Sequence, residues 1–170
     1  MIISILEFIK TGKFGSVEIG QSVDEVRRVF PKPDDVSRMS KGVYIWRYSA
    51  FEFHFADGDL ISLWCDNLPY LKKPGKKQFK WDYWILRKYV EPITLAQFIS
   101  EIKERSIPYI LSGAFYSGEL LPDNVMLSIT GTDSVVYFEN LNEKADSIYA
   151  YELIAIGASK LKSTYKIQTL

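Results

Sequence analysis

The sequence predicts an α+β protein built from two tandem units, each a capped helix followed by an antiparallel meander. Three observations carry that expectation. Phe51, Phe53 and Phe55 alternate with Glu52 and His54, the period of two that marks a strand with one aromatic face. Ser22-Val23-Asp24-Glu25 and Thr94-Leu95-Ala96-Gln97 both match the capping box, in which a hydroxyl and a carboxylate or amide satisfy free N–H groups at a helix start. The order helix, irregular link, strands then recurs, with Ile45 to Phe55 paralleling Leu127 to Phe138. Joining the two sheets edge to edge would cover strand edges that otherwise invite unwanted pairing.

Of 170 residues, 47% are hydrophobic, enough for a core in one domain or two small ones. Aromatic residues make up 15%, a surplus that goes with aromatic-rich sheets or an exposed sticky face. Basic and acidic residues balance at 21 each, which argues against a nucleic-acid partner. The single cysteine, Cys65, excludes an internal disulfide and suits a reducing compartment. Met1 to Lys10 is apolar but too short to span a membrane, carries Glu7 and lacks a basic leader. The expected location is therefore cytoplasmic, with no membrane partner.

The spacing of Ile2, Ile3, Leu6, Phe8 and Ile9 predicts a helix over residues 2 to 10, ended near Gly12. Phe14 to Gly20 reads as a short extended segment. Val23, Val26, Val29 and Phe30 form the apolar stripe of the helix that Ser22 opens, and Pro31 and Pro33 stop it. A loop is expected from Pro33 to about Gly42. Residues 44 to 65 then form three strands, with turns at Ser49-Ala50 and Asp57-Gly58. Trp46 and Tyr48 share a face. From Leu68 to Leu86, Lys72, Lys73, Lys76 and Lys77 flank a Pro74-Gly75 turn beside Trp81, Tyr83 and Trp84, and the aromatic part reads as a further strand. Thr94 opens a helix to about Arg105, with Leu95, Phe98, Ile99 and Ile102 on one face. Strands are expected at 109–116, 124–130, 134–139 and 147–156, with a hairpin turn at 131–133 and a polar tail from Ala158. This divides the chain into a first unit at 1–68, a connecting loop and strand at 69–92, a second unit at 93–157 and a tail at 158–170.

A wider pattern runs through Ile19-Gly20-Gln21-Ser22-Val23-Asp24-Glu25-Val26, Phe30-Pro31-Lys32-Pro33-Asp34-Asp35, Trp46-Arg47-Tyr48 and Phe53-His54-Phe55-Ala56-Asp57-Gly58-Asp59-Leu60. It resembles the superfamily of the β-lactamase inhibitor protein and the BamE-type lipoproteins, and is similar to small bacterial immunity-type proteins. The resemblance covers about residues 17 to 65. It implies two helix-plus-meander units making one continuous curved sheet, with helices on one face. Phe30-Pro31-Lys32-Pro33 departs from the Leu-Gly-x-Pro usual at that helix exit. The chain lacks both a lipoprotein cysteine near its start and the inhibitor's disulfide cysteines, so neither feature carries over.

Candidate chemistry is sparse. His54, the only histidine, shares a strand face with Glu52, an ordinary polar pair that gives a base without a nucleophile. Cys65 lies beside Asp66, with nothing in the sequence to lower its pKa. No ligand spacing points to a metal, and Asp34-Asp35 and Asp57-Gly58-Asp59 are explained by turns. No phosphate loop and no nucleophile elbow occurs, so no cofactor is expected. Trp and Tyr are hot-spot residues of protein interfaces, and lysines steer acidic partners. The expected function is a non-enzymatic, immunity-like protein that blocks a protein partner, such as a toxin or an enzyme. Its surface would combine Trp46, Tyr48, Trp81, Tyr83 and Trp84 with Lys72, Lys73, Lys76 and Lys77. The alternative is an assembly module that forms a homodimer by sheet augmentation. A hydrolase using Cys65 and His54 ranks last.

Overall fold

The computed structural model describes residues 1–67, 79–89, 92–116, 119–141 and 145–160. The chain is α+β, with an eight-stranded antiparallel sheet and four helices among the described residues. In chain order, β1 (Ile2–Ser4) and α1 (Ile5–Thr11) are followed by α2 (Val23–Val29). A meander of β2 (Asp35–Ser40), β3 (Val43–Tyr48), β4 (Phe51–Ala56) and β5 (Asp59–Cys65) comes next. The short β6 (Lys80–Asp82) and α3 (Ile85–Lys88) lead to α4 (Leu95–Glu104). A second meander of β7 (Tyr109–Tyr116), β8 (Glu119–Ile129), β9 (Ser134–Glu139) and β10 (Glu152–Ser159) completes the sheet. The strand order is β2-β3-β4-β5-β10-β9-β8-β7, so the meanders meet along β5 and β10.

Local chemistry explains most of these elements. Ser22 and Thr94 cap α2 and α4, and each cap N–H in turn donates to the Glu25 carboxylate or the Gln97 amide oxygen. Between β4 and β5, Asp57 and Gly58 take φ of 50° and 93°, the pair of positive values that a tight hairpin requires. At the β3–β4 turn Ser49 stands at φ 56°, and its N–H donates to Asp34 Oδ2 at 2.9 Å.

Four expectations are corrected. Residues 2 to 4 are a strand, because Ile2, Ile3 and Ser4 pair in parallel with Lys80, Trp81 and Asp82 before α1 begins. The expected loop from Pro33 to Gly42 contains β2, which pairs antiparallel with β3. The aromatic run after residue 79 gives only three strand residues before turning into the single turn of α3. The last strand begins after a 3-10 turn at Ile148–Ala150 and continues through Ala158 and Ser159, where a tail was expected.

The core follows from the alternation seen in the sequence. Phe51, Phe53 and Phe55 of β4 are fully buried, as are Phe8 of α1, Val26 of α2 and Phe98 of α4, all in one cluster. Alternate strand positions feed a second, smaller cluster of Ala114, Met126 and Val135 with Trp64, Leu121 and Tyr137. Its Trp64 is paired across the seam with Gly157. A Cβ on Gly157 would lie 1.6 Å from the indole and 2.5 Å from the Leu63 carbonyl oxygen, so only glycine lets the ring lie against β10. Gly157→Ala is expected to destabilise the fold by about 2–3 kcal/mol. Urea unfolding followed by tryptophan emission checks this, and an unchanged midpoint would show that the seam relaxes freely.

Candidate functional site

Two of the expected anchors are core residues. Tyr48 has no exposure, and its hydroxyl donates to the Pro31 carbonyl at 2.9 Å. Burial, with Asp34 nearby, pushes the Tyr48 phenol well above its usual range. Trp46 retains only 4% exposure and packs on Phe55 at 4.6 Å. The Tyr48 ring is closed off, whereas the small exposed part of Trp46 lines a surface groove. Of the others, Lys72, Lys73, Lys76 and Lys77 lie outside the described residues, and Trp81 is described as a backbone position of β6.

Tyr83 and Trp84 belong to a bracket around α3. The Arg87 guanidinium lies 3.7 Å from the Tyr83 ring centroid. Trp84 adopts φ 41°, ψ −121°, a strained backbone for a non-glycine residue, and packs edge-on to Phe98 at 5.7 Å. Its buried Nε1 has no hydrogen-bond partner among the described residues. Beside it the Glu101 carboxylate, 2% exposed, accepts from Lys88 Nζ, from Tyr89 OH at 3.2 Å and from Arg105 at 3.1 Å. The Lys88 bond, helped by Tyr89 and Arg105, holds the Glu101 carboxyl below its usual value, although desolvation pulls the other way. The bracket fastens residues 85 to 89 onto α4.

The face with binding geometry lies at the β2 end of the sheet. Arg27, Phe30, Pro31, Lys32, Pro33, Val36 and Trp46 line a groove of about 360 Å³. The Pro31-Lys32-Pro33 link, where proline ends the helix, runs along the groove between α2 and β2. Phe30 and Trp46 form its floor, and Val36, 55% exposed, forms its wall on β2. Arg27 caps the floor, with its guanidinium 5.3 Å from the Trp46 ring. β2 is an end strand of the sheet, nearly all of its side chains are exposed, and Met39 on it is 65% exposed. Among the described residues no strand pairs with its outer edge.

Sequence reasoning did not single out Arg27, Lys32 or Val36. The available signal was the Pro-Lys-Pro link directly after a helix with late arginines. Its meaning depended on a strand, β2, that has no hydrophobic alternation.

The remaining polar residues give no reactive centre. His54 Nε2 lies 3.1 Å from Glu52 Oε2, and Glu52 is also held by Arg47 at 2.9 Å. Cys65 is buried, and burial pushes its thiol up to about 12. Among the described residues, no group of three or more His, Cys, Asp or Glu side chains is placed to hold a metal, and no helix is long and apolar enough to cross a membrane. No protein-family model, curated protein or solved structure matches this chain.

Two measurements follow from these groups. The Cys65 thiol is expected to resist a disulfide reagent in the native protein at mild alkaline pH and to react fully once unfolded. Because its folded pKa is raised, its contribution to stability is whole below 9.0 and is lost as pH rises from there through about 12. Rapid native labelling would show an open environment instead. Glu101→Gln is expected to lower stability by about 2 kcal/mol near neutral pH. A lowered carboxylate pKa stabilises above 4.5, so the gap from wild type should close as pH falls below that value. Denaturant midpoints of Glu101→Gln and wild type from neutral to acid pH report the loss and its closing.

Proposed function

We propose that this chain is a non-enzymatic protein-binding module of immunity-like kind, which neutralises a protein partner by steric blockade. The observation that carries this is the β2 end of the sheet, where a strand edge unpaired among the described residues borders an apolar-floored groove flanked by cations. Open edges accept strands from other chains, and apolar pockets beside them accept side chains. The lysines at 72, 73, 76 and 77 act in approach, steering an acidic partner. The two meanders serve as tandem units with their helices on one face, the layout that the resemblance implies. A second reading, a homodimer formed by augmentation at the same edge, is favoured by the exposed Val36 and Met39.

The test is capture from native lysate on the immobilised chain, followed by mass spectrometry, with Val36→Asp plus Met39→Asp as the control. A stoichiometric partner that the double variant loses is the expected result. An empty capture, together with a dimer by light scattering, would replace this reading with the homodimer. With the captured partner in hand, Lys72→Glu plus Lys73→Glu is expected to slow association by about tenfold at low salt and to leave dissociation nearly unchanged. An unchanged association rate would remove the lysines from the mechanism.

A further inference from the structure

We infer that the β2 edge binds an extended acidic peptide segment of a partner protein, which adds as a further strand and places one apolar side chain in the Arg27–Trp46 groove. The inference deepens the protein-binding reading and rests on it. Three features of the site fix the chemistry of the occupant.

The first is the backbone. β2 has its ladder to β3 on one side only, among the described residues. The partner that satisfies a row of unpaired N–H and C=O groups is another extended chain. A compact small molecule satisfies one or two such groups at most. The second is the groove. Val36 pairs with Trp46, so the wall and the floor lie on one face of the sheet at its very edge. A strand added beside β2 presents alternate side chains to that same face. One of them stands over Phe30 and Trp46, and at about 360 Å³ the space admits a Leu, Ile or Phe side chain.

The third is charge. The groove carries Arg27 and Lys32 in its lining, and Arg38 follows Val36 on the same face of β2. Lys32 and Arg38 make no ion pair among the described residues, and Arg27 has only the exposed Asp24 at 3.4 Å. Of the nearby acids, one lies on this face and one on the other. Asp34 accepts from the Ser49 N–H, and Asp35 pairs with Arg47 at 3.5 Å, together with Glu52 on the opposite face. The groove side of the edge therefore carries Arg27, Lys32 and Arg38 against Asp24 and Asp34, a net positive charge, although the chain as a whole is neutral. Carboxylates flanking the apolar anchor complement it, and lysines there would be repelled.

The experiment is selection from a display library of random short peptides on the wild-type chain, followed by anisotropy titration of the enriched peptides. The expected consensus has one large apolar residue with Asp or Glu at alternate flanking positions. Arg27→Glu plus Lys32→Glu, both exposed and checked by circular dichroism, should weaken binding by tenfold or more, on the order of what reversing two close charges does. Lys32→Glu plus Arg38→Glu is the second variant, and it leaves the Arg27–Trp46 contact in place. N-methylation of alternate peptide amides, which blocks a strand ladder, should abolish binding in one of its two registers and spare it in the other.

Enriched peptides without an acidic bias, or peptides indifferent to both charge reversals, overturn the inference. So does a wild-type dimer in solution that Val36→Asp dissociates, since a second copy would then occupy the edge. If a partner is captured from lysate and neither charge reversal affects it, this inference fails and the binding reading stands. If nothing is captured and no peptide is enriched, both fail.

Discussion

Phe53 is the point on which the first half of the structure depends. Its ring meets Phe14 at 5.4 Å, Phe30 at 5.4 Å and Tyr48 at 4.6 Å, so one β4 side chain ties together the segment after α1, the end of α2 and the neighbouring strand. Each buried ring contributes about 1.5–3 kcal/mol by transfer from water. Oriented pairs add about 0.5–1.5 kcal/mol beyond that. Because Phe30 is also the residue at which α2 ends, this cluster sets where the Pro31-Lys32-Pro33 link leaves the core. The Tyr48 hydroxyl then fixes the link through the Pro31 carbonyl. The position of the groove beside β2 is thus a result of core packing, and its floor is the outer rim of the same aromatic cluster.

The charged groups near that rim are sorted by face. On one face Arg47 gathers Asp35 and Glu52, and Glu52 in turn meets His54, a chain of surface pairs that leaves little net field. On the other, Arg27, Lys32 and Arg38 stand against Asp24, which pairs with Arg27, and Asp34, which accepts from the Ser49 N–H. Surface pairs of this kind stabilise by little. Their distribution matters more for what approaches the sheet edge than for how tightly the chain folds. The Glu101 bracket uses charge differently. There a carboxylate withdrawn from water has its acceptor sites filled by Lys88, Tyr89 and Arg105, and its role is to hold one short segment in place.

The parts of the fold legible in the sequence are those fixed by neighbours in the chain. The alternation of Phe51 to Phe55, the two capping boxes and the Asp57-Gly58 turn each encode their geometry within a few residues. β1 was not legible because Ile2 and Ile3 suit a helix or a strand equally, and the partner that decides, β6, lies far along the chain. β2 was hidden for another reason. An edge strand whose side chains are mostly solvated needs no apolar alternation, and its stability comes from backbone pairing with β3. With β2 unseen, the groove could not be assembled, because Val36 is its wall. Trp46 and Tyr48 show the complementary difficulty. Aromatic residues on a strand look the same whether a helix covers them or a partner does, and only the packing of α2 and its exit link distinguishes the two.

The seam between β5 and β10 has a consequence for the order of assembly. Cys65 pairs with Ile156, so this ladder closes a loop of roughly ninety residues, whereas each meander is built from neighbouring strands. During synthesis the first meander is complete long before β10 leaves the ribosome. In that interval β5 is a bare edge, and Trp64 lacks the flat bed that Gly157 later supplies. The nascent chain therefore passes through a stage with two open edges on one half-sheet. Arrival of the second meander closes the inner edge, and among the described residues the outer one, β2, keeps a free side.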